Sequence, residues 1–519
     1  MASLRTAFDA YTQLVASKTE RLRAGPRSHG VLTDVSKPEW ELRDIVESLE
    51  KGAEFKELVR VTRSTPTFQE KWHSDSDNFW AERVRRFFRR SRAYSQYLSE
   101  PQINGARQFA KFKDAFKQRK MLVRFLAPLE FVSFSRDLNC DSFSIRRFSR
   151  AELDEILQTK VNEIFYPHAV ADTAKLCKYW FLVAEEYQSV GPAFVYHGDE
   201  LGTVPASYQL PPGPIEKALK VLSLFDWEHA TAWSGRREGW GRFRLPFVIL
   251  TDDALLRAPC GAPDCSRLAV RWKSGEPAIS GRLGKDASSQ LENFSREIGS
   301  LLAQYRAALS VMPQKRRRRR KGQHPDWYFL EIALTCFVCA FQTKGLDQLL
   351  WYWVAIEALV GGESGEPVCS TIRDRLKKML GSTESDQEKI KKQVKYLYGL
   401  RCDLVHGNVL LDLLPATDLY DLRELARQAI LWFAHCLDHV RRVYPSDDPS
   451  LLPRAQLLSA LDFDEIDRYG SLAPAAARML DFDLQEIENL LHAMPRGFPN
   501  VTEWTKSRCV VSAPFRTLP

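Results

Sequence analysis

The sequence predicts a multidomain α+β protein. Its 519 residues suffice for about three domains, and its 44% apolar and 27% charged residues are typical of folded proteins. The apolar pattern changes twice along the chain, from helical spacing to alternating runs and back. We therefore expect an N-terminal, mostly helical, basic segment over 1–120, a central α+β region over 121–290 with an antiparallel-type sheet, an all-α bundle over 291–445, and a helical extension over 446–519.

The N-terminal segment is predicted to be helical because Leu42, Ile45, Val46 and Leu49 recur at helical spacing. A basic tract over 83–92 contains two adjacent phenylalanines, Phe87 and Phe88. Such rings can stack on bases or pack in a core. Ordinary packing is the favoured interpretation.

The central region is predicted to contain strands with one buried face, since short apolar runs alternate with polar residues. A helix is expected over Ile215–Phe225. We expect this region to act as a sensor or regulatory domain. The main strand candidates are Leu122–Phe125, Phe131–Phe134, Phe143–Ile145, Phe247–Leu250 and Leu268–Val270.

The last large region is predicted to be a helical bundle, preceded by a loop of seven consecutive cations that repel one another. The cations of this loop are Lys315, Arg316, Arg317, Arg318, Arg319, Arg320 and Lys321. The expected helices are Leu291–Leu309, Asp326–Thr343, Leu346–Val360, Ile372–Leu380, Gln387–His406 and Leu419–Tyr444.

The run Tyr398–Asn408 holds the most informative pair of residues. Arg401 and His406 lie roughly 140° apart around a helix and do not share one face. Cys402 and Asp403 do share the face of His406 and are spaced to hydrogen-bond its imidazole.

A charged Arg401 beside an apolar helix stripe needs a partner or a function. One alternative is structural, with Arg401 in an ion pair with Glu357 inside the bundle and His406 capping its helix. The other alternative is a catalytic site. Spacing alone leaves both open.

Three runs resemble motifs of the Apea-like branch of the HEPN ribonucleases, in the same order. They are Trp353–Leu359, Ile372–Leu376 and Tyr398–Gly407. In that family a helical bundle ends its third long helix with an arginine and, a few residues later, a histidine. The resemblance covers about Asp326–Tyr444, and a looser one covers Leu126–Leu157.

The resemblance implies a metal-independent endoribonuclease that needs no cofactor, in which the ribose 2′-hydroxyl attacks the adjacent phosphate and leaves cyclic phosphate ends. It implies that His406 acts as general base or acid and that Arg401 holds the scissile phosphate. The family often has an asparagine after the arginine, where this chain has Cys402, and Asp403 is expected to supply the polar contact. The expected supporting residues are Glu357, Cys402, Tyr398 and Asn408.

The resemblance also implies partners. We expect RNA, with tRNA as one candidate, a homodimer through the bundle, and a phage or host trigger protein in bacterial anti-phage defence. Phosphate contacts are expected from the 315–321 block, Lys392 and Lys395, because cationic clusters neutralise phosphates. A solvated linker or helix face is the alternative for these lysines and arginines.

The location is predicted to be cytoplasmic. Charged residues interrupt the first 22 residues, so no secretory signal is expected. Charges also interrupt the longest apolar segments, so no membrane partner is expected. The competing function is a catalytically silent, dimerising scaffold that binds RNA or protein.

Overall fold

The structure is a computed structural model that describes most of the chain between residues 3 and 443. The described residues are 3–24, 37–72, 76–90, 105–117, 120–157, 171–189, 204–205, 213–230, 232–233, 243–252, 265–271, 273–311, 328–343, 345–361, 368–381, 383–407, 416–443 and 458. The expected cationic loop over 315–321 and, apart from Leu458, the expected extension over 446–519 lie outside them.

Helices occupy both ends of the described chain, and an antiparallel sheet lies between them in sequence, which confirms the multidomain α+β class. The N-terminal helices are α1 (Leu4–Ala24), α2 (Lys37–Lys51), α3 (Ala53–Arg63), α4 (Pro66–Trp72), α5 (Asp77–Arg90) and α6 (Gly105–Lys117). The central strands are β1 (Lys120–Leu129), β2 (Phe131–Phe134), β3 (Leu138–Asn139), β4 (Phe143–Arg147), β5 (Trp180–Ser189), β6 (Val204–Pro205), β7 (Ala232–Trp233), β8 (Phe247–Asp252) and β9 (Ile279–Leu283).

The remaining helices lie within and after the sheet region. They are α7 (Arg150–Ile156), α8 (Thr173–Leu176), α9 (Gly213–Leu222), α10 (Trp227–Ala230), α11 (Lys285–Val311), α12 (Phe329–Gln342), α13 (Gly345–Val360), α14 (Val368–Leu380), α15 (Glu384–Val405) and α16 (Ala416–Val443).

The chain divides into two compact units. The first comprises Met1–Phe131, Phe143–Ile215 and Phe243–Ile279, and the second comprises Val132–Ser142, Glu216–Arg242 and Ser280–Pro519. The candidate site belongs to the second unit.

The sheet of the first unit is built around β1. Its strands follow the order β4-β5-β1-β8-β6, and β1 pairs with β5 along its whole length, from Lys120 opposite Ser189 to Leu129 opposite Trp180. The helices α7 and α8 contribute to a buried cluster with one face of this sheet, including Leu153, Leu176 and Phe181. The sheet therefore has its own apolar core.

The prediction of a strand over Leu268–Val270 is wrong. Residues 268–270 form no strand, and Val270 makes only an isolated bridge with Pro277. The N–H of Ala269 donates to the buried carboxylate of Glu130, and its carbonyl accepts from the Tyr179 hydroxyl and from the Ala278 N–H at 3.1 Å. Because the N–H of Ala269 bonds to a side chain, backbone pairing there does not extend beyond a bridge.

The basic tract of α5 packs into the first unit, which confirms the favoured interpretation. Phe87 and Phe88 are fully buried. The guanidinium groups of Arg85 and Arg89 form ion pairs with Glu50, at 3.0 and 2.5 Å. These rings are therefore not available to stack on bases.

The second unit packs its helices around α13. Tyr352, Trp353, Ile356 and Leu359 of this helix are buried, and α13 contacts α12, α14, α15 and α16. The turn between α12 and α13 uses Gly345 at φ +63°, a conformation that glycine adopts without strain. This packing brings α13 beside α15, which carries the candidate motif.

Buried charges attach earlier parts of the chain to these helices. Lys220 of α9 contacts Glu331 of α12 at 2.7 Å, and Arg306 of α11 contacts the same carboxylate at 2.5 Å. Arg427 of α16 donates to the carbonyl of Leu224 at 3.2 Å. Residues 216–230 are thus an integral part of the second unit.

Across the described ranges, none of the helices combines the length and the apolar character needed to cross a membrane.

Candidate active site

The candidate site lies at the end of α15, whose two ends are well determined by local hydrogen bonds. At the start, the Thr383 hydroxyl accepts from the Asp386 N–H at 3.1 Å, a favourable N-cap. At the end, the His406 N–H donates to the Cys402 carbonyl, and Gly407 follows at φ +74°. A left-handed residue after a helix is the position that favours glycine, so the Arg401–Gly407 segment both ends the helix and carries the candidate residues.

Arg401 points to the inner side of α15. Its Nη2 atom lies 3.9 Å from Oε1 of Glu357 on α13, and its guanidinium carbon lies 5.5 Å from the ring centre of Tyr398. The side chain is 31% exposed, while its Nε atom is buried and has no hydrogen-bond partner within the described structure. The ion pair that the structural alternative predicts is therefore present, but it leaves donor capacity on the guanidinium.

The surroundings of Arg401 are partly apolar. Burial raises the pKa of Glu357, and the positive charge of Arg401 opposes this rise. Burial also raises the pKa of Tyr398, with Arg401 again opposing. The Tyr398 ring packs edge-on against Trp353, with ring centres 5.2 Å apart. This contact fixes the position of the Tyr398 ring, over which the guanidinium of Arg401 lies.

His406 lies on the outer side of the same helix. It is exposed, and no described residue forms a hydrogen bond or an ion pair with its imidazole. Helix geometry separates it from Arg401 by about 7.5 Å along the axis and about 140° around it. A single copy of the chain therefore presents these two side chains in different directions, as the spacing predicts.

The other predicted site residues are distributed along α15. Asp403 is exposed and Cys402 is half-buried. Lys392 and Lys395 are exposed and, among the residues that the structure describes, have no acidic partner. Asn408 lies outside the described residues, as does the whole 315–321 block, so their placement stays a prediction.

Sequence reasoning missed three contributors to this region. Cys369 of α14 lies within electrostatic reach of Cys402 and Lys395, and burial raises its pKa. Arg375 of α14 is buried and donates to the carbonyls of Val360 and Gly361, at 3.1 and 3.2 Å. These two residues lie on a neighbouring helix, so spacing within the motif gives no indication of them.

The third missed residue is Gly399, and the sequence does contain an indication of it. A glycine in the interior of a helix is unfavourable compared with alanine, so its presence in α15 needs a reason. It is exposed, and a Cβ atom built on it would meet nothing within 4 Å.

The His, Cys, Asp and Glu side chains that the structure describes nowhere gather in threes that would hold a metal ion. The arrangement instead offers an exposed imidazole and a half-buried guanidinium on one helix. Comparison of the chain with family models, curated proteins and solved structures found no match.

Proposed function

We propose that the protein is a metal-independent endoribonuclease of the HEPN type. The proposal rests on the exposure and the bonding of the two motif side chains. The imidazole of His406 is exposed at a helix end and makes no described bond that would give it a structural role. The side chain of Arg401 is about a third exposed, and its contact with Glu357, at 3.9 Å, is longer than a hydrogen bond. Guanidinium donors match the oxygens of a phosphate.

The proposed reaction needs only these groups. An imidazole accepts the proton of a ribose 2′-hydroxyl, the 2′-oxygen attacks the adjacent phosphorus, and the 5′-oxygen of the next nucleotide leaves and takes up a proton. The products are a 2′,3′-cyclic phosphate and a free 5′-hydroxyl. Arg401 stabilises the negative charge that develops on the phosphate oxygens. Asp403, one turn before His406, is proposed to orient the imidazole.

The different directions of Arg401 and His406 favour a homodimer in which two motifs share one cleft. Two copies supply two imidazoles, one to accept a proton and one to return it. Exposed apolar side chains support self-association: Trp351 and Val354 lie on α13, and Val405 of α15 precedes His406. Their exposed fractions of 38%, 40% and 48% are high for side chains of this size.

The substrate class is RNA, with tRNA among the candidates. Lys392 and Lys395 are proposed to contact its phosphates, and the 315–321 block to add further charge. We place the protein in the bacterial cytoplasm as a dormant nuclease in anti-phage defence, released by a phage or host trigger protein that acts on the first unit.

The test is incubation of the full chain with total cellular RNA in a chelator, with wild type, His406→Ala and Arg401→Ala compared. Discrete fragments with cyclic phosphate ends from wild type alone support the proposal. His406→Ala should unfold at the wild-type temperature, since its side chain is exposed. Fragments that appear equally in all three samples, or that disappear with the chelator, contradict it.

The second candidate function is a silent scaffold that dimerises and binds RNA or protein. The Arg401–Glu357 ion pair is the observation that favours it. In this case Arg401→Ala lowers the free energy of unfolding, and wild type leaves RNA intact even after addition of lysate from infected cells.

A further inference from the structure

The outer face of α15 carries a row of residues that point in nearly one direction. With 3.6 residues per turn, Lys392, Lys395, Gly399 and His406 fall within a sector of about 60°. All four are exposed. The row is about 21 Å long from Lys392 to His406 at 1.5 Å per residue.

Nothing in the part of the chain that the structure describes explains the glycine at position 399. Its backbone does not adopt a positive φ, and a Cβ atom there would meet nothing within 4 Å. Neither the conformation of Gly399 nor its packing against the described residues therefore requires glycine in place of a better helix former. A glycine in such a position is explained when another molecule approaches the backbone closely.

The charges along the row identify the chemistry of that molecule. Lys392 and Lys395 lie on one side of Gly399. The ionisable His406 lies on the other side, next to the exposed Asp403 of the same face, which is proposed to orient its imidazole. The row ends toward the start of the helix at Glu388, whose carboxylate contacts Lys391 at 3.4 Å. The positive charge of Lys392 and Lys395, followed by a bare helix surface at Gly399, complements the phosphates of a linear polyanion.

We propose that the sugar–phosphate backbone of single-stranded RNA lies along this row and contacts the main chain of α15 at Gly399. This inference rests on the proposed function and deepens it by naming the path of the substrate. Unpaired RNA is the expected form, because attack by a 2′-hydroxyl needs a linkage that can rotate into line. Lys392 and Lys395 then contact phosphates on one side of the scissile linkage, and Gly399 allows the strand to reach His406.

The experiment replaces Gly399 and a matched glycine in the full chain. Gly299 lies in the interior of α11, and a Cβ atom built there also meets nothing within 4 Å. Gly399→Ala and Gly399→Leu are compared with Gly299→Ala and Gly299→Leu. The probe is a fluorescent uridine oligomer with 2′-O-methyl riboses, which binds but cannot undergo attack by the 2′-oxygen.

The expected results distinguish contact of the RNA with the main chain at Gly399 from its attraction to the charge of the lysines. Both alanine variants unfold at or above the wild-type temperature, since alanine is the better helix former. Gly399→Leu weakens oligomer binding by about tenfold, equivalent to about 1.4 kcal/mol, and Gly399→Ala weakens it less. The two Gly299 variants bind the oligomer as wild type does. Gly399→Leu keeps the salt dependence of binding, whereas Lys395→Ala reduces the salt slope by about one.

Three outcomes overturn the inference. If wild type cleaves RNA and Gly399→Leu binds and cleaves equally well, the path is wrong while the proposed function stands. If Gly399→Leu changes the mass of the protein in solution and loses binding only for that reason, Gly399 contacts a second copy of the chain. If wild type neither binds the oligomer nor cleaves RNA, the proposed function fails together with this inference.

Discussion

Arg401 on α15 and Glu357 on α13 face each other with 3.9 Å between Nη2 and Oε1. This distance is too long for a hydrogen bond, for which N···O separations of about 2.7–3.2 Å are usual. The pair is therefore an electrostatic contact without a directional bond. It neutralises part of the charge on Arg401 but leaves the guanidinium donors able to bind an anion.

Glu357→Gln tests whether this contact stabilises the fold. Because burial raises the pKa of Glu357 above its ordinary 4.5, the folded protein holds that proton more tightly than the unfolded chain. Wild-type stability therefore falls as the pH rises from about 4.5 through the raised pKa. We expect Glu357→Gln to lose this pH dependence and to match or exceed wild-type stability at neutral pH, as measured by denaturant unfolding at several pH values.

The outcome also separates the two candidate functions. A nuclease with Glu357→Gln keeps its cleavage activity, because Arg401 remains and loses only a neutralising neighbour. A marked loss of stability at neutral pH would identify the ion pair as a structural element and favour the scaffold.

Arg401→Lys tests the need for a guanidinium. Lysine keeps the positive charge but offers a compact ammonium in place of the planar fork that binds two phosphate oxygens. We expect the cleavage rate to fall by about a hundredfold, while the salt dependence of RNA binding is unchanged. Equal rates for the two proteins would mean that only the charge matters.

Glu331→Gln is expected to destabilise the second unit. Burial acts to raise the pKa of Glu331, but Arg306 and Lys220 outweigh it and hold the pKa below its usual value. Removing the carboxylate leaves the partly buried Arg306 without this ionic partner, while Lys220 keeps its contact with Glu216 at 2.7 Å. We expect a cost of about 3 kcal/mol, at the low end for breaking a buried ion pair. Denaturant unfolding of the variant gives the value.

The stabilisation that Glu331 provides depends on pH in a definite direction. Since the folded pKa is lowered, the stabilisation from Glu331 is present above the unfolded value and is lost as the pH falls through the folded pKa. Glu57→Gln is the control, because Glu57 forms only an exposed ion pair with Arg60. The stability of this variant should stay close to that of wild type. Similar losses in both variants would show that burial does not distinguish the pairs.

Arg375→Met is expected to loosen α14 from the end of α13. Its guanidinium donates to the carbonyls of Val360 and Gly361, which no helical N–H can satisfy at a C-terminus. Methionine keeps the volume but not the donor, so we expect a loss of about 2 kcal/mol, measured by thermal or denaturant unfolding. A neutral result would mean that solvent takes over these carbonyls.

The helices of the second unit could be predicted from the sequence because their apolar spacing and end residues are local. The expected helix over Gln387–His406 matches most of α15, since the apolar stripe and Gly407 mark its body and its end. Its start was predicted three residues too late, because the N-cap at Thr383 was not considered. The angular separation of Arg401 and His406 followed from helix geometry alone.

Strand β5 could not be predicted in the same way. It begins with an uninterrupted apolar run, Trp180–Ala184, which fits a buried strand or a helix equally well. Its pairing with β1, about 60 positions earlier, determines the outcome, and such non-local packing commonly overrides local preference. The roles of Cys369 and Arg375 were missed for a related reason. Only the packing of α14 brings Cys369 within electrostatic reach of Cys402 and Arg375 to the end of α13.

The bond between Arg427 and the carbonyl of Leu224 joins positions 203 residues apart. The donor on α16 is synthesised only about 200 residues after Leu224. The second unit therefore cannot complete its packing until α16 has left the ribosome. Residues 401–407 are synthesised before α16, so in the growing chain they precede one of the helices that pack on α13.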